Sequence, residues 1–196
     1  MIELFETIRI EDGVAYHLEY HNYRLNKSRH ELFGSTDTID IAQILVDIPT
    51  SGVYRAKLIY NVSILSINYY SYTPRVTKSI SIVSTDINYS YKYLDRATID
   101  EIRIRYPESD EILLSQDGLL TDSTIANIAL SKDGRWYTPT KPLLEGTTRA
   151  RLIDSGYLTT RDIEVSTIEC YDGLALMNAM IGFAVIQYAI EGIQCH

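Results

Sequence analysis

The sequence predicts an α+β fold, and three observations lead to that prediction. Segments with the alternating polarity of β-strands fall in two runs, one before residue 73 and one after residue 78. Segments with helical periodicity are inserted between these strands and do not alternate with them one by one. The chain also lacks a Gly-x-Gly-x-x-Gly turn and a Walker-type loop, which mark nucleotide-binding parallel sheets.

The N-terminal run begins with a hairpin and a long helix. Asp12-Gly13 is a typical hairpin turn, so residues 3–16 are predicted as two short strands. Leu18 to Phe33 has its leucines on one face and is followed by Gly34, which predicts a helix that ends there. A second helix is predicted over residues 39–47 before Pro49, and strands over 54–60 and 62–70.

The C-terminal run is predicted to contain strands and two further helices. Pro107 ends the helix that follows Asp95, and Gly146 precedes a helix over Thr147 to Asp154. Strands are predicted over residues 79–84, 112–115, 125–130, 136–137 and 181–190. Two domains are therefore expected, a small one over residues 1–72 and a larger one over 78–196, joined by a linker at 73–77.

Composition and charge exclude several classes of protein. The chain has 196 residues and a net charge of −8 with dispersed basic residues, which argues against a general nucleic-acid surface. Neither a membrane helix nor a targeting peptide is predicted. The two cysteines, Cys170 and Cys195, form neither a disulfide framework nor a metal-ligand spacing, so we expect a cytoplasmic protein without a metal.

Lys92 is a candidate for covalent catalysis. It lies in Tyr91-Lys-Tyr-Leu-Asp-Arg96, a segment too mixed to be a plain polar surface. A lysine that attacks an aldehyde must be neutral, which requires burial or a nearby positive charge, and Arg96 could supply that charge. The alternative is an ordinary surface lysine that pairs with Asp95.

Asp122 is a candidate acid in the stretch from Gly118 to Asn127. A carboxylate beside a pyridine nitrogen keeps that nitrogen protonated, and the ring then accepts electrons from a carbanion. An aspartate near glycine and threonine more often caps a turn, and this stretch alone favours that interpretation.

Two further stretches could bind an anion. Gly146-Thr-Thr-Arg149 precedes an apolar helix, and the N–H groups at a helix start bind phosphate, although a plain helix cap is at least as common. His21 and Arg24 lie three residues apart on the first helix, and the Arg24 guanidinium could clamp a phosphate. The alternative for that pair is a core histidine and a surface arginine.

Taken in order, these motifs resemble the class IV aminotransferases, the fold-type IV pyridoxal-phosphate enzymes. This family includes branched-chain and D-amino-acid aminotransferases and 4-amino-4-deoxychorismate lyases. The resemblance covers nearly the whole chain. The matching segments are Phe5-Glu-Thr-Ile-Arg9, His21-x-x-Arg24-Leu25-x-x-Ser28, Lys92, Gly118 to Asn127, Thr138-Pro139, Leu144-x-Gly146-x-Thr148-Arg149 and Asn178.

The resemblance implies a two-domain α+β fold like that of D-amino-acid aminotransferase, with pyridoxal 5′-phosphate in the interdomain cleft and a homodimeric assembly. Lys92 would carry the cofactor as a Schiff base and act as the catalytic residue. The other implied cofactor-binding residues are Arg24, Thr147 and Thr148 at the phosphate, Asp122 at the pyridine nitrogen, and Asn178 at the phosphate or substrate side.

The chain departs from the family pattern at three places. Asp122 is one methylene shorter than the usual glutamate, Met177-Asn178-Ala179 lacks the two hydroxyls of the family's Thr-Asn-Ser loop, and the N-terminal domain is short. Within the family we expect a 4-amino-4-deoxychorismate lyase first, because a lyase needs one substrate and no alternating pocket, which suits the short N-terminal domain. A class IV aminotransferase of branched-chain or D-amino acids and a weakly active or inactive cofactor-binding homologue are the alternatives.

Overall fold

Two β-sheets with helices beside them build the chain as two α+β units. The computed structural model describes residues 2–186 and the backbone of residues 194–195. Unit 1 comprises residues 2–74 and Tyr91–Asp95, and unit 2 comprises Arg75–Ser90 and the described residues from Arg96 onward. The predicted α+β class is confirmed. None of the helices within the described ranges is long and apolar enough to cross a membrane.

Unit 1 is a four-stranded antiparallel sheet in the order β2-β1-β3-β4, with two helices. The predicted hairpin turn has Asp12 at φ 48° and Gly13 at φ 82°, the backbone conformation that a two-residue hairpin requires. Gly34 ends the first helix at φ 67° and donates its N–H to the His30 carbonyl at 3.0 Å. The elements are β1 (Leu4–Glu11), β2 (Val14–Ala15), α1 (Leu18–Phe33), α2 (Ile41–Ile44), β3 (Val53–Tyr60) and β4 (Ile64–Ser71).

The two faces of this sheet differ in chemistry. One face packs against α1 and α2, and its core includes Leu4, Ile8, Leu25, Ile41 and Leu58. The strand register places the alternate residues on the opposite face, where cross-strand partners are neighbours. We call this the open face, and it carries Phe5, Thr7 and Arg9 of β1, Arg55, Lys57 and Ile59 of β3, and Asn68 and Tyr70 of β4.

The prediction of a helix over residues 39–47 is wrong in length, because only Ile41–Ile44 is helical. Side chains of α1 form hydrogen bonds with the backbone around the start of α2. The Asn26 amide accepts from the Ile39 N–H and donates to the Ile39 carbonyl, and Asn22 Oδ1 accepts from the Ile41 N–H. Side chains of another helix therefore bind these backbone groups, and α2 starts only at Ile41.

Unit 2 contains a mixed sheet in the order β10-β9-β8-β7-β6-β5-β13 among the described residues, with β11 pairing β8 and β12. The strands β5 and β6 are parallel and are joined through α3, as a parallel pair requires. The elements are β5 (Ile80–Ser84), α3 (Ala97–Arg105), β6 (Glu111–Gln116), β7 (Leu119–Ser123), β8 (Asn127–Lys132), β9 (Arg135–Pro139), α4 (Thr147–Asp154), β10 (Leu158–Arg161), a 3-10 turn (Val165–Cys170), β11 (Gly173–Asn178), β12 (Gly182–Ile186) and β13 (Gln194–Cys195).

Several strands of unit 2 differ from the sequence-based prediction. The strand predicted over residues 125–130 begins at Asn127, and β7, β10 and β11 have no predicted counterpart. β11 is buried over four successive residues, so it lacks the alternation that identifies a half-exposed strand. The predicted strand over residues 181–190 is confirmed at β12, and residues 187–190 lie outside the described residues.

Candidate active site

In unit 1, a buried carboxylate joins β1 to α1. Glu6 occupies a position of β1 that faces the core and has no exposed surface. Arg24 binds it side-on, with Nε 2.8 Å from Oε1 and Nη2 2.6 Å from Oε2, and His21 Nδ1 lies 2.6 Å from Oε2. The predicted proximity of His21 and Arg24 on one helix face is thus observed, and their common partner is Glu6.

The charge of Glu6 is stabilised by these two partners. Burial alone would raise the pKa of Glu6, but the Arg24 charge and the hydrogen bonds from His21 and Arg24 outweigh it and lower the pKa to about 2. His21 Nε2 is buried and has no hydrogen-bond partner among the described residues. Glu6 was not among the residues predicted to be functional. The sequence does carry a signal for it, because Glu6 is a charged residue at a core position of an alternating strand.

Lys92 is held at the edge of the open face. Its carbonyl accepts from the Phe5 N–H at 3.0 Å, and the Leu94 N–H donates to the Glu3 carbonyl at 2.9 Å. The Lys92 side chain is half-buried, and its Nζ lies 4.5 Å from the centre of the Phe5 ring. The Lys92 segment therefore packs with β1 in unit 1, although its position in the chain assigned it to the predicted C-terminal domain.

Arg96, the predicted source of positive charge for Lys92, is bound to unit 2 residues. Its Nη2 donates to the Thr124 carbonyl at 2.6 Å, and its guanidinium carbon lies 5.7 Å from the centre of the Tyr89 ring. Arg96 thereby fixes the turn that follows β7, two residues beyond Asp122.

Asp122 lies on β7 and is almost completely buried. Its Oδ1 accepts from Asn127 Nδ2 at 2.6 Å, and its Oδ2 accepts from the Leu144 N–H at 2.8 Å. Burial raises the pKa of Asp122 to about 7 against the opposing effect of the Leu144 and Asn127 hydrogen bonds and the Arg149 charge. A carboxyl that titrates near neutral pH inside a fold is typical of a functional site.

Asn127 connects this acid to the start of α4. Besides Asp122, Asn127 Nδ2 also donates to the Leu144 carbonyl at 2.8 Å. A Cβ atom on Gly146 would lie 1.8 Å from Asn127 Oδ1, so any side chain at that position would have to displace the Asn127 amide. Both residues belong to motifs noted in the sequence, but nothing in those motifs predicts this contact.

The start of α4 is formed as predicted. Gly146 precedes the first turn and provides no capping side chain, while Thr147, Thr148 and Arg149 are buried. Arg149 Nη2 donates to the Pro139 carbonyl at 2.8 Å, and burial lowers the pKa of Arg149 against the charges of Asp122 and Glu145. The first N–H groups of α4 thus begin beside the Asp122 and Asn127 pair.

Asn178 forms a local turn at the end of β11. Its Oδ1 accepts from the N–H groups of Met180 at 2.9 Å and Ile181 at 3.0 Å, and its Nδ2 donates to the Ile125 carbonyl at 3.2 Å. These bonds join the β11–β12 turn to the residues after β7. The structure therefore gathers Asp122, Thr147, Thr148 and Asn178 in unit 2, and Arg24 and Lys92 in unit 1.

Comparison with known proteins identifies the family. The family described as amino-transferase class IV matches residues 3–188. An uncharacterised protein of Haemophilus influenzae is 32% identical over 188 residues, which are 93% of this chain and 100% of that protein. A structure from Haemophilus somnus 129pt, provisionally described as a 4-amino-4-deoxychorismate lyase, has a TM-score of 0.85 at 32% identity and covers 93% of this chain and 98% of that chain.

A more distant structure shows the same fold. The PLP-bound form of a hypothetical aminotransferase from Mycobacterium tuberculosis has a TM-score of 0.79 at 19% identity, over 97% of this chain and 81% of that chain. The architecture is therefore that of the fold-type IV enzymes, as the order of motifs implied. With a family match over nearly its full length, the chain belongs to the class IV aminotransferases.

Proposed function

We propose that the protein binds pyridoxal 5′-phosphate through Lys92 and acts as a 4-amino-4-deoxychorismate lyase. The observation that carries this proposal is the buried Asp122 carboxyl, fixed by Asn127 beside the start of α4. The name of the H. somnus structure at 32% identity supports the lyase as the first choice. The PLP-bound neighbour supports the cofactor.

The residues present fit the chemical groups of this cofactor. The first N–H groups of α4 and the Thr148 hydroxyl are donors suited to a phosphate, and Gly146 leaves the helix start without a side-chain cap. Arg24 adds a guanidinium, which binds phosphate oxygens in pairs. Asp122 Oδ1 accepts a hydrogen bond from Asn127, and a carboxylate oxygen can accept a second one, so Asp122 can also bind a pyridinium N–H.

Each residue then has one role. Bound pyridoxal 5′-phosphate supplies an aldehyde that reacts with amines and a ring that accepts electrons from the adjacent carbon. Lys92 would anchor the cofactor, and its amine would accept the proton from the substrate carbon that bears the amine. Asp122 would keep a proton on the ring nitrogen, and Arg24, Thr147 and Thr148 would hold the phosphate. Asn178 keeps the β11–β12 turn in place.

The lyase reaction needs no second substrate. The amine-bearing carbon loses its proton, and the bond between the neighbouring ring carbon and the enolpyruvyl oxygen breaks, which gives 4-aminobenzoate. The released enolpyruvate takes up a proton and becomes pyruvate. The atoms of 4-amino-4-deoxychorismate are all accounted for in these two products. An aminotransferase of branched-chain or D-amino acids would instead need a 2-oxo acid to complete its cycle.

The test has two stages. The purified protein, loaded with pyridoxal 5′-phosphate, is reduced with borohydride and digested, and the label is located by mass spectrometry. We expect it on Lys92 and expect Lys92→Ala to lose it; a label on Lys57 or Lys78 contradicts the assignment. 4-Amino-4-deoxychorismate and a panel of L- and D-amino acids with 2-oxo acids then distinguish the lyase from an aminotransferase.

A cofactor-binding homologue without turnover is the remaining alternative. It predicts a label on Lys92 together with no product from any member of the panel. We further propose a homodimer, which sedimentation of the loaded protein tests directly. A monomer that remains fully active would contradict it.

A further inference from the structure

The open face of unit 1 has a charge opposite to that of the protein as a whole. The chain carries a net charge of −8. On the open face, however, Arg9, Arg55 and Lys57 occupy neighbouring positions, with Lys92 at its edge. Glu11 is the acid of β1 that shares this face, and it pairs with Arg9 at 3.0 Å. Arg55 and Lys57 therefore give the middle of the face a positive charge.

The strand register arranges the side chains of the open face in rows, each row being a pair of cross-strand partners from β1 and β3. Phe5 is paired with Ile59, Thr7 with Lys57, and Arg9 with Arg55. Successive rows on one face are two residues apart, or about 7 Å at the rise of a β-strand. The row next to Lys92 is thus apolar, the next row presents Lys57, and the third presents Arg55.

Aromatic rings fix the position of these cations. Lys57 Nζ lies 5.3 Å from the centre of the Phe5 ring, the same ring over which Lys92 lies, and Arg55 lies 5.4 Å from the centre of the Tyr70 ring. Cation–π contacts of this kind reduce the rotamer freedom of long side chains while the charged heads still accept an anion. The ammonium groups of Lys57 and Lys92 therefore both lie near the Phe5 ring.

We propose that Lys57, with Arg55 behind it, binds a carboxylate of the substrate that lies remote from the reacting amine. This inference rests on the proposed role of Lys92 as the cofactor anchor. A substrate bound there would place its apolar ring near Phe5 and Ile59 and its far carboxylate against the Lys57 ammonium, which lies 5.3 Å from the centre of the Phe5 ring. The substrate class is therefore an amine with a distant carboxylate, such as an amino-substituted ring acid. A branched-chain amino acid would place an apolar side chain beside the cations at a desolvation cost.

The experiment compares two isosteric probes on the full chain loaded with pyridoxal 5′-phosphate. 4-Aminobenzoate carries the remote carboxylate, and 4-aminobenzamide replaces it with a neutral amide. Dissociation constants are measured by calorimetry for the wild type, Lys57→Gln and Arg55→Gln. Lys132→Gln is the matched control, because Lys132 also lies over an aromatic ring, that of Tyr171, at 5.8 Å.

We expect the wild type and Lys132→Gln to bind the carboxylate about tenfold or more tightly than the amide, as for one charge-assisted hydrogen bond. Lys57→Gln should remove that preference, Arg55→Gln should reduce it, and added salt should weaken it. A preference that survives in both variants, or no preference in the wild type, overturns the proposal. The borohydride label on Lys92 is unaffected by these outcomes, so failure of the carboxylate site is distinguishable from failure of the proposed function.

Discussion

A Cβ atom on Gly146 would lie 1.8 Å from Asn127 Oδ1, so the side chain of Asn127 occupies the space that any other residue at 146 would need. Asn127 is held there by hydrogen bonds to the Asp122 carboxylate and the Leu144 carbonyl. The acid of the proposed site and the first turn of α4 are thereby packed against each other within unit 2. Their separation is fixed by an amide that cannot move without losing both bonds.

Gly146→Ala should destabilise unit 2 by displacing Asn127. The displaced amide loses two hydrogen bonds, one of them to a carboxylate, so we expect a loss of about 2 to 4 kcal/mol in the free energy of unfolding. Urea denaturation of the apoprotein measures this loss. In an Asn127→Ala background the same change should cost much less, because the space is then empty. If Gly146→Ala lowers the free energy of unfolding equally in the two backgrounds, the close approach of residue 146 to Asn127 does not determine stability.

Asp122 should make the apoprotein less stable as the pH rises. Its pKa is about 7 in the folded chain and 3.8 for an ordinary aspartate, so the folded state binds the proton more tightly. The stabilising contribution of Asp122 to the free energy of unfolding is therefore greatest at acid pH. It falls as the pH rises from about 4 to about 7 and is constant above that, with a total change of at most about 4 kcal/mol.

Comparing urea denaturation at pH 5 and pH 8 in the wild type and in Asp122→Asn tests this prediction. The variant should lose most of the difference between the two pH values. The loaded variant should keep the cofactor, since the phosphate and Lys92 still hold it, and lose most of its turnover. Near-normal turnover of Asp122→Asn would contradict the role assigned to Asp122.

Glu6→Gln should destabilise the protein, and a phosphate should compensate for the change. Removal of one partner leaves the Arg24 charge buried without its carboxylate, which costs about 3 to 5 kcal/mol. The pKa of Glu6 is lowered to about 2, so its contribution is present above its ordinary pKa of 4.5 and is lost as the pH falls toward 2. The variant should therefore lose stability at pH 7 and show a weaker acid dependence.

If Arg24 meets the cofactor phosphate, the anion supplies the negative charge that the Glu6→Gln variant lacks. Pyridoxal 5′-phosphate should then raise the melting temperature of Glu6→Gln more than that of the wild type, while pyridoxal without the phosphate should not. Glu11→Gln is the control, because it breaks the partly exposed pair with Arg9 on the same strand. If pyridoxal 5′-phosphate raises the melting temperatures of Glu6→Gln and the wild type equally, Arg24 does not bind the phosphate.

Local sequence signals determined the first hairpin turn and the end of α1. Asp12-Gly13 predicts the first hairpin and Gly34 ends α1, because each depends on the backbone conformation of one or two residues. The order of the motifs also identified the family, which the match over residues 3–188 confirms. These features can be recognised without knowledge of which strands pair.

The tertiary structure alone decided what the charged residues contact. Pairing of Glu6 with both His21 and Arg24 depends on how α1 packs on the sheet, and the start of α2 depends on asparagines from α1. Arg9 and Arg55 lie far apart in sequence and become neighbours on the open face only through the register of β1 and β3. The physical reason is that a strand's register and a helix's packing are set by the whole core, whereas a turn is set by its own residues.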